Sequence, residues 1–314
     1  MAKRRLKFND LMNDYTPVIM HCNNRPTDIT EELNNFMNNS CSLSGLKNMK
    51  NNAAGSCFTK TQLVNIVERY NKKYSDDPIK FSRTRTPYHE LWNMLKHRLE
   101  NTCGDKEWCW LDQSFMKNVD SKKLLESQFK PRGPVHKMNW LSTNNIVDVM
   151  SMYEKLYCDF KFFGAVPIDF DDFIKEIINI DVSSLQRKGI HKIGIIFNLD
   201  TRYESGSHWV AMFADFIDPG VYYFDSYGEC PAPEEIRVLQ KRLYGQLKKI
   251  HGQNVSVDCR CNMHRHQYSN SECGVYSMYF ILEMLKGRSF DFVTKNIILD
   301  EEIKKFRQVY FRPK

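Results

Sequence analysis

Apolar residues recur every three or four positions in three segments of the N-terminal part of the chain, a spacing that predicts amphipathic helices. Thr59 and Gln62 form a capping box for the second helix, and Thr86 followed by Pro87 is the expected N-cap and first residue of the third. Residues 1–127 are therefore expected to form a small all-helical N-terminal domain. The three apolar faces are Ile29, Leu33, Phe36 and Met37; Leu63, Ile66, Val67 and Tyr70; and Leu91, Trp92, Leu95 and Leu99.

The pattern changes after QFKPRGP, Gln128–Pro134, a linker rich in proline and glycine. Short β-branched and aromatic runs predict strands at 192–200, 208–216 and 221–227, with a further short strand in NVSVDC. Helical periodicity flanks them at 139–157 and 233–252. Residues 128–314 are therefore expected to form an α+β domain with a central mixed or antiparallel sheet.

Composition limits the class of protein. With 314 residues and 42% hydrophobic side chains, the chain has enough apolar surface for one large core or two moderate ones. No apolar run approaches the ~18 residues of a membrane span, and the basic start MAKRRLKF lacks the apolar segment of a secretory signal. We therefore expect no membrane contact and a cytosolic or nuclear protein in which the ten cysteines mostly stay reduced.

The net charge of +7 is modest and spread along the chain. Its densest basic cluster is MAKRRLKF, which is expected to be a solvated tail. The alternative is an electrostatic contact with nucleic acid or a nuclear-import signal.

Cys273 stands directly before Gly274 and an apolar run, at the predicted start of a buried helix. Unpaired N–H groups and the helix dipole favour negative charge there, and the thiolate is the reactive form of cysteine. Gly274 is expected to let a substrate carbonyl approach, and the N–H of Cys273 to serve as an oxyanion donor. The position predicts a nucleophile, with a buried structural cysteine as the alternative.

A nucleophilic cysteine needs a base, and the base needs an acceptor that orients it. His208 begins a predicted strand beside Trp209, after the polar loop TRYESGS. Asp225 interrupts the aromatic run of the next strand, where an unpaired carboxylate would be costly. Because adjacent antiparallel strands bring such positions together, the sequence predicts a triad of Cys273, His208 and Asp225.

Gln267 is the candidate side-chain donor to the oxyanion of a tetrahedral intermediate. It lies in the loop HRHQYSNSECG before Cys273, which is long enough to fold back over the thiol. Asn270 competes for this role, and an ordinary loop hydrogen bond is the alternative for either residue.

These motifs resemble the ubiquitin-like-protein protease and adenain clan of cysteine peptidases, above all its branch in African swine fever virus and other large DNA viruses. HWVAMF is similar to the clan's His-Trp strand, FDSYG to the strand with the acidic or amide member, and SECGVYS to the nucleophile segment. Gln267 falls where the clan has its oxyanion glutamine. The resemblance covers roughly residues 128–314 and implies a papain-like or adenain-like core, with an arm domain in front of it in the viral relatives.

The resemblance also implies a substrate. Members of the clan cut after glycine, and Trp209 would roof a channel too narrow for side chains, unless it is only a core residue. Trp140 resembles a residue that lines this channel, and Asn270 is the third expected substrate-binding residue. The implied function is an endopeptidase that cleaves viral structural polyproteins at Gly-Gly-X-like sites during virion maturation, without cofactor or metal, in the host cytoplasm (virus factory) and the virion.

Other interpretations remain open from the sequence. An isopeptidase that removes a ubiquitin-like modifier would use the same chemistry, and a non-catalytic virion interaction protein or an acetyltransferase would share the scaffold. Cys259, Cys261, His264 and His266 are four potential zinc ligands, although their spacing is tighter than in zinc fingers. Cys103 and Cys109, with His97 nearby, are a second candidate metal or redox site.

Overall fold

The computed structural model describes residues 5–12, 19–22, 25–117, 121–134 and 139–313. It confirms the α+β class. Two compact units are present: a sheet unit, Met1–Asn34 with Arg132–Tyr310, and a helical unit, Asn35–Pro131 with Phe311–Lys314. In the part of the chain that is described, no helix is both long and apolar enough to cross a membrane.

Helices predominate among the described residues, and the longer strands lie in the second half of the chain. The helices are α1 (Phe8–Met12), α2 (Thr30–Asn38), α3 (Leu43–Lys50), α4 (Lys60–Lys73), α5 (Tyr88–Cys103), α6 (Glu107–Leu111), α7 (Ser121–Gln128), α8 (Thr143–Leu156), α9 (Lys175–Ile178), α10 (Val182–Arg187), α11 (Glu234–His251), α12 (Cys273–Leu285), α13 (Phe290–Lys295), α14 (Asp300–Ile303) and α15 (Arg307–Tyr310). Short 3-10 helices are Ser114–Met116, Phe170–Asp172 and Lys304–Phe306. The strands are β1 (Arg5–Leu6), β2 (Ile19–Cys22), β3 (Arg25–Asp28), β4 (Phe160–Pro167), β5 (Lys192–Asn198), β6 (Trp209–Asp215), β7 (Gly220–Phe224), β8 (Asp258–Cys261) and β9 (Ile297–Ile298).

The capping signals in the helical unit are confirmed in one case and shifted in the other. Thr59 and Gln62 form the predicted capping box at the start of α4. The prediction that Pro87 is the first residue of α5 is wrong by one position, because Pro87 has extended backbone and is itself the N-cap. The hydroxyl of Thr86 instead accepts the N–H of Ser82 at 2.8 Å.

The compact units divide the chain at other positions than the boundary predicted after residue 127. Residues up to Asn34 cluster with the sheet unit. There, β1 pairs in parallel with β9, and the ring of Phe8 meets Phe306 edge to face with centroids 4.9 Å apart. The N–H of Phe8 also donates to Glu302 at 2.7 Å. Periodicity does not reveal such a pairing, since it joins residues almost 300 positions apart in the sequence.

The sheet of the sheet unit is mixed, with the strand order β4-β5-β6-β7-β8. β4 and β5 are parallel, β6 is antiparallel to β5 and to β7, and β8 is parallel to β7. The three longer predicted strands are confirmed as β5, β6 and β7 with trimmed ends, and the strand in NVSVDC begins later, at Asp258. β4 was not predicted, although FKFFGAVP is rich in aromatic residues.

Side chains of the sheet alternate between two apolar faces. One face packs with Leu239 and its neighbours on α11 in a continuous buried cluster. The other face receives α12, where Phe224 stacks on Phe280 with centroids 4.9 Å apart. Gly194 permits this approach, because a Cβ there would lie 3.1 Å from Ile281. The sheet is thus covered on both faces, which fixes the position of α12.

The cysteines differ from the expectation that they mostly stay reduced. Cys158 is disulfide-bonded, and among the described cysteines Cys259 and Cys273 are free. Sulfur pairing depends on which residues the fold brings within reach, and the linear spacing does not encode that. The paired residues are Cys41 with Cys57, Cys103 with Cys109, and Cys230 with Cys261.

Lys130 is a fully buried lysine in the helical unit. Its ammonium donates to the carbonyl of Met37 at 3.2 Å and lies over the ring of Phe36, 4.8 Å from the centroid. Burial lowers the pKa of Lys130 to about 7, because the charged form loses its hydration. The folded helical unit therefore favours the neutral amine.

We expect Lys130→Met to stabilise the helical unit, most strongly at acidic pH. The folded-state pKa lies below the unfolded value of about 10.4, so protonation opposes folding, and the wild type gains stability as the pH rises from about 7 to about 10. The methionine variant lacks this gain. Urea unfolding of both proteins at pH 6 and pH 9 measures the difference, with the exposed Lys80→Met as the matched control. An equal difference at both pH values would contradict the prediction.

Candidate active site

The thiol of Cys273 lies at the first residue of α12, as predicted. Every residue of this helix is buried, and Cys273 itself is 2% exposed. A helix that is apolar on all sides belongs inside a domain, so its start is held firmly by the core. The helix N-terminus supplies unpaired N–H groups and positive potential next to the sulfur.

Gly274 has a different role from the one expected. A Cβ at this residue would lie 3.2 Å from Leu141, 3.3 Å from Trp209 and 3.4 Å from Ile146. Its missing side chain therefore lets α12 pack closely on the segment before α8 and on the start of β6. The missing Cβ of Gly274 would point at these three side chains, so the residue does not provide the expected passage for a substrate carbonyl.

His208 and Asp225 come together at the end of the β6–β7 pair. His208 immediately precedes β6, and Asp225 immediately follows β7. The Nε2 atom of His208 lies 2.7 Å from Oδ1 of Asp225. Asp225 is 1% exposed, and its Oδ1 also accepts the N–H of Tyr227 at 2.8 Å. The predicted pairing of imidazole and carboxylate is therefore present.

Asp225 and Cys273 together control the protonation of His208. Burial acts to lower the pKa of His208, but its hydrogen bonds to Asp225 and Cys273 and the negative charges of both raise it to about 9. The ring is therefore an imidazolium at neutral pH. Because Nε2 faces Asp225, Nδ1 is the ring nitrogen left for the sulfur. This arrangement places a positively charged ring next to the candidate nucleophile.

The side chain of Gln267 is fully buried and held at both ends. The hydroxyl of Ser226 donates to its Oε1 at 2.6 Å, and its Nε2 donates to the carbonyl of Ser269 at 2.6 Å. An amide nitrogen carries two hydrogens, so one donor remains beyond the bond to Ser269. Such a fixed donor is suited to a developing oxyanion.

A cavity of about 550 Å³ within the sheet unit is lined by Trp140 and Trp209, but not by Cys273, His208 or Asp225. Trp209, which directly follows His208, is 5% exposed and donates its indole N–H to the carbonyl of Leu141 at 3.0 Å. Trp140 is 42% exposed and lines the same cavity. Two of the three predicted substrate-binding residues are therefore brought together. Asn270 is exposed in the loop before α12 and does not line this cavity.

The alternative zinc sites are not assembled. Cys261 is paired with Cys230, and His266 is fully buried with its Nε2 3.2 Å from the carbonyl of Thr294. Within the described ranges, no group of three or more His, Cys, Asp or Glu side chains is arranged to hold a metal ion. Cys103 and Cys109 form a disulfide with each other.

Sequence reasoning missed several residues that hold the site. Ser226 follows Asp225 and could have been found as the only serine in FDSYG, but nothing in the sequence linked it to Gln267. Arg307 gave no signal, because it acts from α15: it donates to Glu272 at 2.8 Å and to the carbonyls of Asn139 and Ser271 at 3.0 and 3.3 Å. The guanidinium of Arg307 thus joins Glu272, directly before the nucleophile, to Asn139, directly before Trp140.

Known proteins similar to this chain are thiol proteases. Residues 185–314 match the Ulp1 protease family, C-terminal catalytic domain. A protein of Acanthamoeba polyphaga mimivirus that is named as a thiol protease is 35% identical over 272 residues, which are 82% of this chain and 89% of that protein. A SUMO-1 cysteine protease of African swine fever virus is 31% identical over 244 residues, 71% of this chain and 88% of that protein. A crystal structure of the African swine fever virus protease has a TM-score of 0.60 at 29% identity, covering 72% of this chain and 89% of that chain.

We expect Asp225→Asn to move the alkaline limit of peptidase activity to lower pH. The charge of Asp225 helps to raise the pKa of His208 to about 9, so activity that needs the imidazolium falls as the pH rises through about 9. Asparagine keeps an acceptor oxygen but removes this charge, and the pKa of His208 falls. The pH profile of kcat/KM measures the shift. An alkaline limit that stays in place, in a variant with unchanged thermal unfolding, would show that the carboxylate does not set it.

Proposed function

This chain belongs to the Ulp1 protease family, and we propose that it is an endopeptidase that cleaves viral structural polyproteins after glycine, at Gly-Gly-X-like sites, during virion maturation. The chain is a cysteine peptidase, and its substrates are proteins. The observation that carries the proposal is the position of His208, which is hydrogen-bonded to Asp225 at 2.7 Å and lies close enough to Cys273 for the sulfur to influence its pKa.

In the proposed mechanism, the thiolate of Cys273 attacks the carbonyl carbon of the glycine, with His208 already protonated. The N–H of Cys273 and the free amide hydrogen of Gln267 bind the oxyanion, each contributing on the order of 3 kcal/mol to the transition state. His208 then gives its proton to the leaving amine, and the C–N bond breaks to leave a thioester on Cys273. Water, deprotonated by His208, hydrolyses the thioester and frees the enzyme.

The preference for glycine is supported by the packing around the sulfur. Trp209 is buried directly after His208, and its indole N–H donates to the carbonyl of Leu141, so the ring is held beside the base. A fixed indole beside the base leaves little width for a substrate side chain, so a residue without a side chain fits best. The cavity lined by Trp140 then accommodates residues that precede the glycine.

An isopeptidase that acts on a ubiquitin-like modifier is the second candidate. It is favoured by the name of the African swine fever virus relative described above, which is called a SUMO-1 cysteine protease. Both candidates use the same triad, and they differ in whether a folded modifier must be captured. A non-catalytic virion protein is disfavoured, because such a protein has no need for an assembled triad.

We further propose that the enzyme acts in the host cytoplasm, in virus factories, and in the virion, because the similar proteins are viral. A contact of the basic start MAKRRLKF with nucleic acid remains part of this proposal. Residues 1–4 of that cluster lie outside the described residues.

Cys273→Ala is expected to abolish cleavage of a Gly-Gly-X peptide, since no other group provides the nucleophile. Gln267→Ala is expected to lower kcat by about 10²–10³ with a smaller change in KM, because the oxyanion forms only in the transition state. Release of a fluorogenic leaving group measures both. Cys259→Ser is the matched control, because Cys259 is the other free cysteine among the described residues. Cleavage by the Cys273→Ala variant would disprove the assignment.

Short Gly-Gly-X peptides are expected to be cleaved about as efficiently as the same sequence within a long protein. A polyprotein protease reads the extended residues that fit the cleft, whereas an isopeptidase gains most of its affinity from the folded modifier. Comparing kcat/KM for the peptide with kcat/KM for a SUMO precursor of the same cleavage sequence distinguishes them. A preference of 10³-fold or more for the precursor would favour the isopeptidase.

A further inference from the structure

We propose that Tyr227 is a positioning residue for the imidazole of His208: its ring is the platform on which the protonated ring rests during catalysis. This inference rests on the proposed function, because it concerns the base of that reaction. Tyr227 itself touches no reacting atom, and it acts through His208.

The turn that follows β7 brings the two rings together. The paired part of β6 and β7 ends at Ala211 and Phe224, and beyond it the N–H of Gly228 donates to the carbonyl of Asp225 at 2.9 Å, so Tyr227 lies within this turn. The rings are stacked, with centroids 4.5 Å apart and planes inclined by 15°. The π face of the tyrosine is therefore presented to the whole imidazole rather than to its edge.

Two further bonds fix the orientation of Tyr227. Its N–H donates to Oδ1 of Asp225 at 2.8 Å, the same oxygen that lies 2.7 Å from Nε2 of His208. Its hydroxyl donates to the carbonyl of Ser269 at 3.4 Å, in the loop that carries Gln267. Tyr227 thus connects the base, its carboxylate partner and the loop of the oxyanion donor.

The charges around this stack favour an imidazolium on the tyrosine face. Asp225 and Cys273 face His208 with negative charge, and an aromatic face attracts a cation in the same way. Arg265 opposes this effect. Its guanidinium lies 5.1 Å from the centroid of Tyr227, so it is a second cation that competes with the imidazolium for the same ring. Asp300 is the remaining charged group that acts on Tyr227.

Tyr227 stays neutral in the pH range where His208 titrates. Burial raises the pKa of Tyr227, the negative charges of Cys273, Asp225 and Asp300 raise it further, and Arg265 acts in the opposite direction. The ring therefore keeps its neutral π face while the imidazole gains and loses its proton. Any change in the titration of His208 in a Tyr227 variant then reports on the ring and not on a phenolate.

The test measures the alkylation of Cys273 by iodoacetamide as a function of pH, followed by mass spectrometry of the peptide that contains Cys273. The rate has an alkaline inflection where the imidazolium beside the thiolate loses its proton. This readout needs no substrate. The proposed function is tested separately by cleavage of the Gly-Gly-X peptide by the wild type.

Tyr227→Leu keeps an apolar side chain at this position but removes the π face. We expect its alkaline inflection to move to lower pH by about one unit. This is the pKa change that corresponds to losing the energy of a partly desolvated cation–π contact. Its kcat should fall about tenfold while KM stays within about twofold. Tyr227→Phe keeps the ring and should keep the wild-type inflection. An unmoved inflection in the leucine variant, or an equal shift in the phenylalanine variant, would overturn the proposal.

A second measurement decides the matter even where the leucine variant does not fold. Phenylalanine analogues with one, two or three ring fluorines at position 227 keep the shape of the ring and withdraw its electron density step by step. The alkaline inflection should then move to lower pH with each added fluorine. A constant inflection across this series would show that Tyr227 only fills space.

Discussion

The hydrogen bond between His208 and Asp225 depends on the antiparallel pairing of β6 with β7, and the rest of the site depends on that hydrogen bond. Both residues lie just outside the paired strands, so their separation follows from the register of the ladder between them. A slip of one residue would turn every side chain to the opposite face of the sheet. The two apolar faces, one against α11 and one against α12, exclude such a slip. The precision of the site is therefore derived from the packing of the core.

Burial strengthens the electrostatic interactions of His208 with Asp225 and Cys273. Asp225 is 1% exposed and Cys273 is 2% exposed, so water does little to screen their charges from the imidazole between them. A buried imidazolium and a buried carboxylate would each be costly alone, but paired at 2.7 Å they compensate each other's charge. The raised pKa of His208 is the direct result.

Residues near the C-terminal end of the sheet unit bind the loop that precedes α12. Asp300 accepts the N–H groups of Tyr268 and Ser269 at 2.9 and 2.8 Å, next to the carbonyl that binds Gln267. Arg307 pairs with the fully buried Glu272 directly before Cys273. Removing either partner would leave an uncompensated buried charge. Asp300 and Arg307, which follow the nucleophile in sequence, thus hold the loop of Gln267 and the nucleophile in position relative to His208.

The sequence by itself determined the elements and the chemistry of the triad. Local patterns predicted α4, β5, β6, β7 and the start of α12, because helix capping depends on near neighbours, and alternation and residue type favour strands. Residue types and their order predicted Cys273, His208 and Asp225 as a set, because a thiol at a helix start, a histidine at a strand start and a carboxylate on the next strand together fit nucleophilic catalysis. Only the tertiary structure decided which distant groups meet. The pairing of β1 with β9, the disulfides, the stack of Tyr227 on His208 and the contact of Arg307 with Glu272 all join segments that local pattern does not connect, because their energies arise only after the chain has closed into its core.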